Sequence, residues 1–183
     1  MRVAVYSGSF DPLHIGHQAI MEYLTRDASF DCVYLVISPQ NPLKDSSKAD
    51  NAPQRYAAAV QAVRRHPELN VRVDDIEMKM SAPHYTIKTL DALKQREPDN
   101  SFVLVIGADN LAIIKRWKDS DRILKEYGVV VFPREGYDLD VIATQLLSES
   151  SDYKITIADA PLVNISSTQI RESGAGEMSE FLM

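Results

Sequence analysis

At 183 residues the chain is long enough for one well-buried core and fits the size of a single domain, and a composition 45% hydrophobic and 25% charged points to neither disorder nor a fibrous repeat. The net charge of -6 argues against a polyanion such as DNA as a partner, because nucleic-acid binding calls for a basic face, whereas small phosphorylated ligands need only a few aimed cations. No apolar run approaches bilayer length, no apolar signal core follows a basic start, and the single Cys32 lies in an apolar strand pattern, so the expectation is a cytoplasmic protein with no membrane partner.

The first strand covers residues 2–6, and behind it comes Gly8-Ser9-Phe10-Asp11-Pro12-Leu13-His14-Ile15-Gly16-His17. Apolar residues at Ile15, Ala19, Ile20, Tyr23 and Leu24 then have the spacing of one buried helical face. Strand, glycine turn and helix in that order put the turn at the carboxyl end of a strand. There a helix start offers unpaired N–H groups and positive dipole to an anion. Residues 31–38 are a nearly continuous apolar run, as in a parallel strand covered on both faces. Residues 39–53, with three prolines, two asparagines and Lys44, form a long loop at its carboxyl end, of a length often functional.

A helix from Pro53 to about His66 follows, then a strand over 71–73 and an alternating segment at 76–79 that extends or flanks the sheet. After a break at 81–84, a helix runs from Tyr85 to Arg96. Residues 102–106 are the most hydrophobic strand, expected at the centre of the sheet, and they deliver Gly107 and Asp109 to the edge that carries the opening motif. A short helix through Leu111 and Ile114 leads to Trp117, and a second, over 119–126, stops at Gly128. A strand at 129–132 hands over to Pro133-Arg134-Glu135-Gly136. A helix at 139–147, a strand at 155–157 and a serine-rich helix start at 164–171 complete the chain. Strands alternating with helices predict an α/β, doubly wound, mostly parallel sheet with helices on both faces. The glycine patterns of dinucleotide folds and P-loops are missing.

His14 and His17 lie three apart at a helix start, so both rings can project from one side of its first turn, and Gly16 leaves a ligand room to approach the backbone. Two imidazoles donating hydrogen bonds with backbone N–H groups behind them suit a phosphate undergoing substitution, where electrostatic stabilisation is the main demand. A helix-capping histidine and half of a metal site are the plainer readings. Zinc is disfavoured, since no further Cys or His cluster completes a tetrahedral set. At the far end, Ser166, Ser167 and Thr168 offer hydroxyls and N–H groups, and Arg171 lies one turn beyond Ser167 on the same face; an ordinary serine cap with a solvated arginine is the alternative.

Residues 8–17 resemble the G-[ST]-F-D-P-x-H-x-G-H signature of the nucleotidyltransferase superfamily, and Ile165-Ser166-Ser167-Thr168-Gln169-Ile170-Arg171 resembles its second signature, I-S-S-T-x-[IV]-R. Between them, Pro39-Gln40-Asn41-Pro42-Leu43-Lys44, Tyr85-Thr86, Ile106-Gly107-Ala108-Asp109-Asn110-Leu111, Trp117 and the Arg134-Glu135-Gly136 turn are similar to segments of nicotinate mononucleotide adenylyltransferases. The resemblance implies a Rossmann-like fold that joins ATP, carried with Mg2+, to nicotinate mononucleotide and releases pyrophosphate in NAD biosynthesis. It implies catalytic roles for His14, His17 and Arg171, and an ATP site from Gly8, Ser9, Phe10, His14, Gly16, His17, Ile106, Gly107, Asp109, Ser166, Ser167, Thr168 and Arg171. The acceptor would meet Lys44, Tyr85, Thr86, Asp109, Trp117 and Arg134, with no dedicated metal ligand on the protein. Two departures stand out: His84 replaces the usual serine, and the chain stops at Met183, short of the last helix that family members carry. The rivals are phosphopantetheine adenylyltransferase, an enzyme preferring nicotinamide mononucleotide, and an inactive nucleotide-binding sensor. A homo-oligomer stays open.

Overall fold

The computed structural model describes residues 1–39, 51–160 and 182–183. Among the described residues six strands form one sheet: β1 (Arg2–Gly8), β2 (Cys32–Ile37), β3 (Val71–Asp74), β4 (Ser101–Gly107), β5 (Val129–Phe132) and β6 (Ile155–Ile157). Their order is β3-β2-β1-β4-β5-β6 and every pairing is parallel. Val3 of β1 lies opposite Cys32 on one side and Phe102 on the other. The chain builds outward from β1 through β2 to β3, returns to the centre, and builds outward the other way from β4. The crevice between the ends of β1 and β4 is therefore the topological switch point, where ligands of open α/β sheets bind.

Burial on both faces explains why the inner strands read as nearly unbroken hydrophobic runs; all of Cys32–Ile37 is buried. Alternation along β1 feeds two cores. Val3 and Val5 pack with Ile87, Leu90 and Leu93 of α3 (Thr86–Arg96), Leu111 of α4 (Ala108–Ile113), and Leu146 of the later helix Leu139–Glu149. Ala4 and Tyr6 pack on the opposite face with Met21 and Leu24 of α1 (Ile15–Arg26) and with Ala59 and Ala62 of α2 (Ala52–Arg64). Each helix thus covers the sheet with one stripe of its surface. No helix among the described residues is long and apolar enough to cross a membrane.

Three segments differ from the pattern-based expectation. Ile76–Lys79 does not extend the sheet but coils into a short 3-10 turn, begun where the Ile76 N–H bonds the Asp74 carboxylate at 3.0 Å, and the turn sends Glu77 into the interior. The expected helix over 119–126 is three helical residues, α5 (Ser120–Arg122), continued by a wider π-helical turn, Ile123–Tyr127. Gly128 ends it at φ 82°, its N–H reaching back to the Ile123 carbonyl at 2.8 Å. The helix through Leu111 finishes at Ile113, and a 3-10 turn carries the chain on to Trp117. The last helix among the described residues, α6, runs Leu139–Glu149 behind an Asp138 cap.

Candidate active site

The opening motif turns at the end of β1. A Cβ on Gly8 would lie 3.1 Å from the Phe10 ring, so the glycine leaves room for that ring to fold back on its own strand. Phe10 sits at φ 47°, a left-handed conformation that costs a bulky residue roughly 1 to 3 kcal/mol and has to be held by its surroundings. Its buried ring meets Tyr6 and His17 edge-on, with centroids 5.1 Å away in each case. Ser9 beside it is exposed.

His14 and His17 do not both stand on the first helical turn. His14 is the N-cap of α1, in extended backbone, and its Nδ1 accepts the Gly16 N–H at 3.1 Å; the His17 Nδ1 accepts the His14 N–H, also at 3.1 Å. This is a capping box built from two imidazoles, and it satisfies two of the helix's orphan donors. The rings stack with centroids 3.7 Å apart. An Nδ1 that accepts a backbone N–H carries no proton of its own, so each neutral ring holds its hydrogen on Nε2. Capping, one of the readings open at the level of spacing, is what the structure shows, and the cap fixes the tautomer that leaves one Nε2–H per ring.

Burial and the Arg134 charge push His14 down to about 4. Burial, His14 and Arg134 together push His17 down to about 3. Both are therefore neutral at physiological pH, and each has an N–H dipole rather than a cation to offer. Arg134, just past β5, also lies 3.7 Å from the Asp109 carboxylate at the start of α4. The two side chains cross over Gly107, where a Cβ would stand 2.6 Å from Asp109 Oδ1 and 2.8 Å from Arg134 Nε. A side chain at 107 would push one of these two groups aside. The ends of β1, β4 and β5 thereby gather His14, His17, Gly107, Asp109 and Arg134. Ile106 contributes its side chain to the core.

A second group forms at the start of α3. Tyr85 is its N-cap residue, exposed, with the Lys88 and Lys118 ammonium groups 5.4 and 4.8 Å from its ring centre. Thr86 is the first helical residue. Trp117 is half-buried against the core, and its neighbour Lys118 reaching Tyr85 brings the two aromatic positions to one locality. Lys44, Ser166, Ser167, Thr168 and Arg171 lie outside the described residues.

Sequence spacing does not single out Arg55 and Glu77, which are buried at the ends of β1 and β2. The one signal for Arg55 is its place on the inward stripe with Ala59 and Ala62. Among the described residues no group of three or more His, Cys, Asp or Glu side chains gathers as a metal site.

A parallel sheet with an imidazole-capped helix start at its switch point defines a nucleotide-handling α/β protein. Residues 5–173 match the cytidylyltransferase-like family, and the chain belongs to it. It is 37% identical over 172 residues to the probable nicotinate-nucleotide adenylyltransferase of Bacteroides fragilis, covering 94% of this chain and 81% of that one. With the protein of the same description from Porphyromonas gingivalis it shares 39% over 173 residues, 94% of this chain and 84% of the other. Among solved structures it resembles the Plasmodium falciparum nicotinic acid mononucleotide adenylyltransferase complexed with NaAD, at a TM-score of 0.76 and 16% identity over 99% of this chain and 90% of that one. The same protein complexed with APC gives a TM-score of 0.77 at the same identity and coverage, a likeness of fold.

Proposed function

We propose that the chain is a nicotinate-nucleotide adenylyltransferase: it joins ATP to nicotinate mononucleotide, giving nicotinate adenine dinucleotide and pyrophosphate for NAD biosynthesis. The kinship with proteins of that description supports the substrate pair. The observation that carries the chemistry is the reciprocal histidine cap, which holds two neutral Nε2–H donors at the switch point.

An oxygen of the acceptor 5'-phosphate attacks the ATP α-phosphorus in line. The new P–O bond forms as the bond from the α-phosphorus to the bridging oxygen breaks, and that electron pair leaves with pyrophosphate. No protein nucleophile takes part, so the work of the protein is positioning and electrostatics. His14 and His17 donate to phosphate oxygens, from rings already oriented by the cap, so little reorganisation is needed as charge develops. In this reading Arg171 supplies charge to the same anion and Ser166, Ser167 and Thr168 supply hydroxyls and N–H groups, while Gly8, Ser9, Phe10 and Gly16 shape the ATP side. Mg2+ arrives with ATP as part of the substrate and offsets triphosphate charge. Asp109 accepts from ribose hydroxyls. Trp117 stacks on the pyridine ring, the Tyr85 and Thr86 helix start receives the carboxylate, and Lys44 and Arg134 face the acceptor phosphate. One domain over residues 1–183 does this, in the cytoplasm.

Parallel reactions of Mg-ATP with nicotinate mononucleotide, nicotinamide mononucleotide and phosphopantetheine test the reading. The dinucleotide of nicotinate, formed with one pyrophosphate per product, is expected. Turnover of phosphopantetheine alone overturns the acceptor, and ATP binding with no turnover of any acceptor overturns the activity.

A further inference from the structure

The loop that carries the histidine pair leaves β1 beside the end of β2, and two buried residues of opposite charge type grip that junction. Arg55 of α2, 5% exposed, donates from one terminal nitrogen, Nη1, to the Ser9 carbonyl at 2.7 Å and to the Ser38 carbonyl at 2.8 Å. Its Nε is steadied by the Asn51 side-chain oxygen at 2.7 Å. Glu77, 4% exposed, has the Ser7 hydroxyl 3.0 Å from one carboxyl oxygen and the Ser38 hydroxyl 3.1 Å from the other. The two hydroxyls are 2.9 Å from each other, and two hydroxyl protons suffice for both bonds to the carboxyl. A backbone bond from the Ser38 N–H to the Gly8 carbonyl, 2.9 Å, closes the junction. Residues 7 to 9 and residue 38 are thus tied three ways: through backbone, through a guanidinium and through a carboxyl.

Burying such groups is costly, and apolar side chains would fill the same space without that cost. What an apolar side chain cannot do is hold a carbonyl or a hydroxyl at a set distance. The held segment needs holding, because Phe10, directly after the gripped Ser9, stands in the left-handed region and its ring supports His17.

We propose that Arg55 and Glu77 are positioning residues for nucleotidyl transfer: they lock the loop between β1 and α1 against the end of β2, so that the His14 and His17 donors meet the reacting phosphates at a fixed separation. The proposal rests on the reading of the chain as an adenylyltransferase. Neither residue touches the substrate in this assignment; both act through the backbone of the loop.

Three full-length variants test it: Arg55→Met, Arg55→Lys and Glu77→Gln. The measurements are kcat, KM for ATP and for nicotinate mononucleotide, circular dichroism, and amide hydrogen exchange of residues 8–17 without substrate. Arg55→Met is expected to keep its secondary structure and lose about 10- to 100-fold in kcat, the scale of a misplacement near 1 Å, with both KM values within about threefold of the parent. Exchange in residues 8–17 speeds up while β4 stays protected. Arg55→Lys, which can still reach a carbonyl, recovers part of kcat, and Glu77→Gln loses less than Arg55→Met. A folded Arg55→Met with kcat within about twofold of the parent and unchanged exchange overturns the proposal, on the same scale. So does a loss of rate that only follows the loss of folded protein. Should Arg55→Met not fold, Ser7→Ala with Ser38→Ala removes only the hydroxyl arms of Glu77, and unchanged kcat and exchange in that variant overturn the part assigned to Glu77, with Arg55→Lys deciding for Arg55. If the parent protein turns over no acceptor, the functional reading fails by itself, and hydrogen exchange still decides whether the lock exists.

Discussion

At the end of β3 the buried Asp74 carboxylate is met by the Arg96 guanidinium in two parallel bonds, 3.1 and 2.6 Å long, which fasten the end of α3 to the sheet. At the ends of β1 and β2 the equally buried Arg55 and Glu77 grip carbonyls and hydroxyls, and His14 and His17 grip backbone N–H groups. The first arrangement cancels charge and holds two elements together. The second spends polar side chains on the placement of one loop and keeps two imidazoles neutral. Stability should therefore depend most on the first region, and turnover on the second.

The largest expected effect is on turnover. His17→Ala removes one of two preorganised donors, and the loss of one such donor lowers kcat by about 10²- to 10³-fold. The same change removes one arm of the capping box, worth about 1 kcal/mol of stability. Pyrophosphate release set beside a urea melt reads both numbers. Near-parental turnover would remove His17 from the chemistry.

The histidine pair also makes stability depend on pH, with a sign that its burial fixes. In the unfolded chain both rings titrate near the ordinary 6.5, whereas in the folded protein burial and Arg134, joined for His17 by His14, hold them at about 4 and about 3. Between those limits the unfolded state binds more protons, so the contribution is whole above pH 6.5 and is lost as pH falls toward 4 and then 3. The urea midpoint of the parent protein should fall more steeply from pH 7 to 4.5 than that of His17→Ala. Equal slopes would mean that the pair is not kept neutral by folding.

Breaking the other region is expected to spare turnover. Asp74 has a side chain only 1% exposed. Asp74→Asn leaves Arg96 with an uncharged amide beside its remaining partner Glu97 at 2.9 Å, and the retained amide oxygen can still accept the Ile76 N–H that starts the turn carrying Glu77. Removal of one partner from a fully buried pair costs about 3 to 5 kcal/mol, and the partial exposure of Arg96 brings this to about 2 kcal/mol. Urea denaturation should report that loss with kcat unchanged. A fall in kcat without a loss of stability would reverse the assignment of the two regions.

Much of the fold could be read from the chain because the strands β1, β2, β4 and β5 are apolar runs closed by polar or turn-forming segments, and the longer helices repeat one apolar stripe. The strand order was not legible, since the pairing of β1 with β4 depends on contacts a hundred residues apart. Ile76–Lys79 reads as alternation only because its buried member is the acidic Glu77, which binds hydroxyls rather than apolar neighbours. At the site, spacing located the histidine pair, and the strand at 102–106 carried Gly107 and Asp109 to the same edge. Spacing could not show which ring nitrogen each histidine spends on the backbone, nor that Arg134 stands near enough to depress both. Arg55 escaped notice because a charge on an inward stripe breaks the binary pattern that makes the rest of the helix readable.

The smallest effect sharpens what burial contributes. Arg122 binds Asp91 through two bonds of 3.0 Å each, the same two-pronged geometry as Arg96 with Asp74, and Tyr127 adds a 2.6 Å bond to the same carboxylate. The carboxylate differs mainly in exposure, 42% for the Asp91 side chain against 1% for Asp74. Water already solvates Asp91 and the second partner of Arg122, Glu126 at 2.8 Å, and salt screens both, so Arg122→Gln, which releases both, should cost about 0.5 kcal/mol, inside the usual range of exposed pairs. That loss should shrink further in 0.5 M salt, whereas the loss from Asp74→Asn should barely change, because a buried pair is poorly screened. Urea melts of both variants at low and high salt test this directly. If Arg122→Gln proves as costly as Asp74→Asn, geometry rather than burial sets the strength of these pairs, and the contrast between structural and positioning charges would have to be drawn on other grounds.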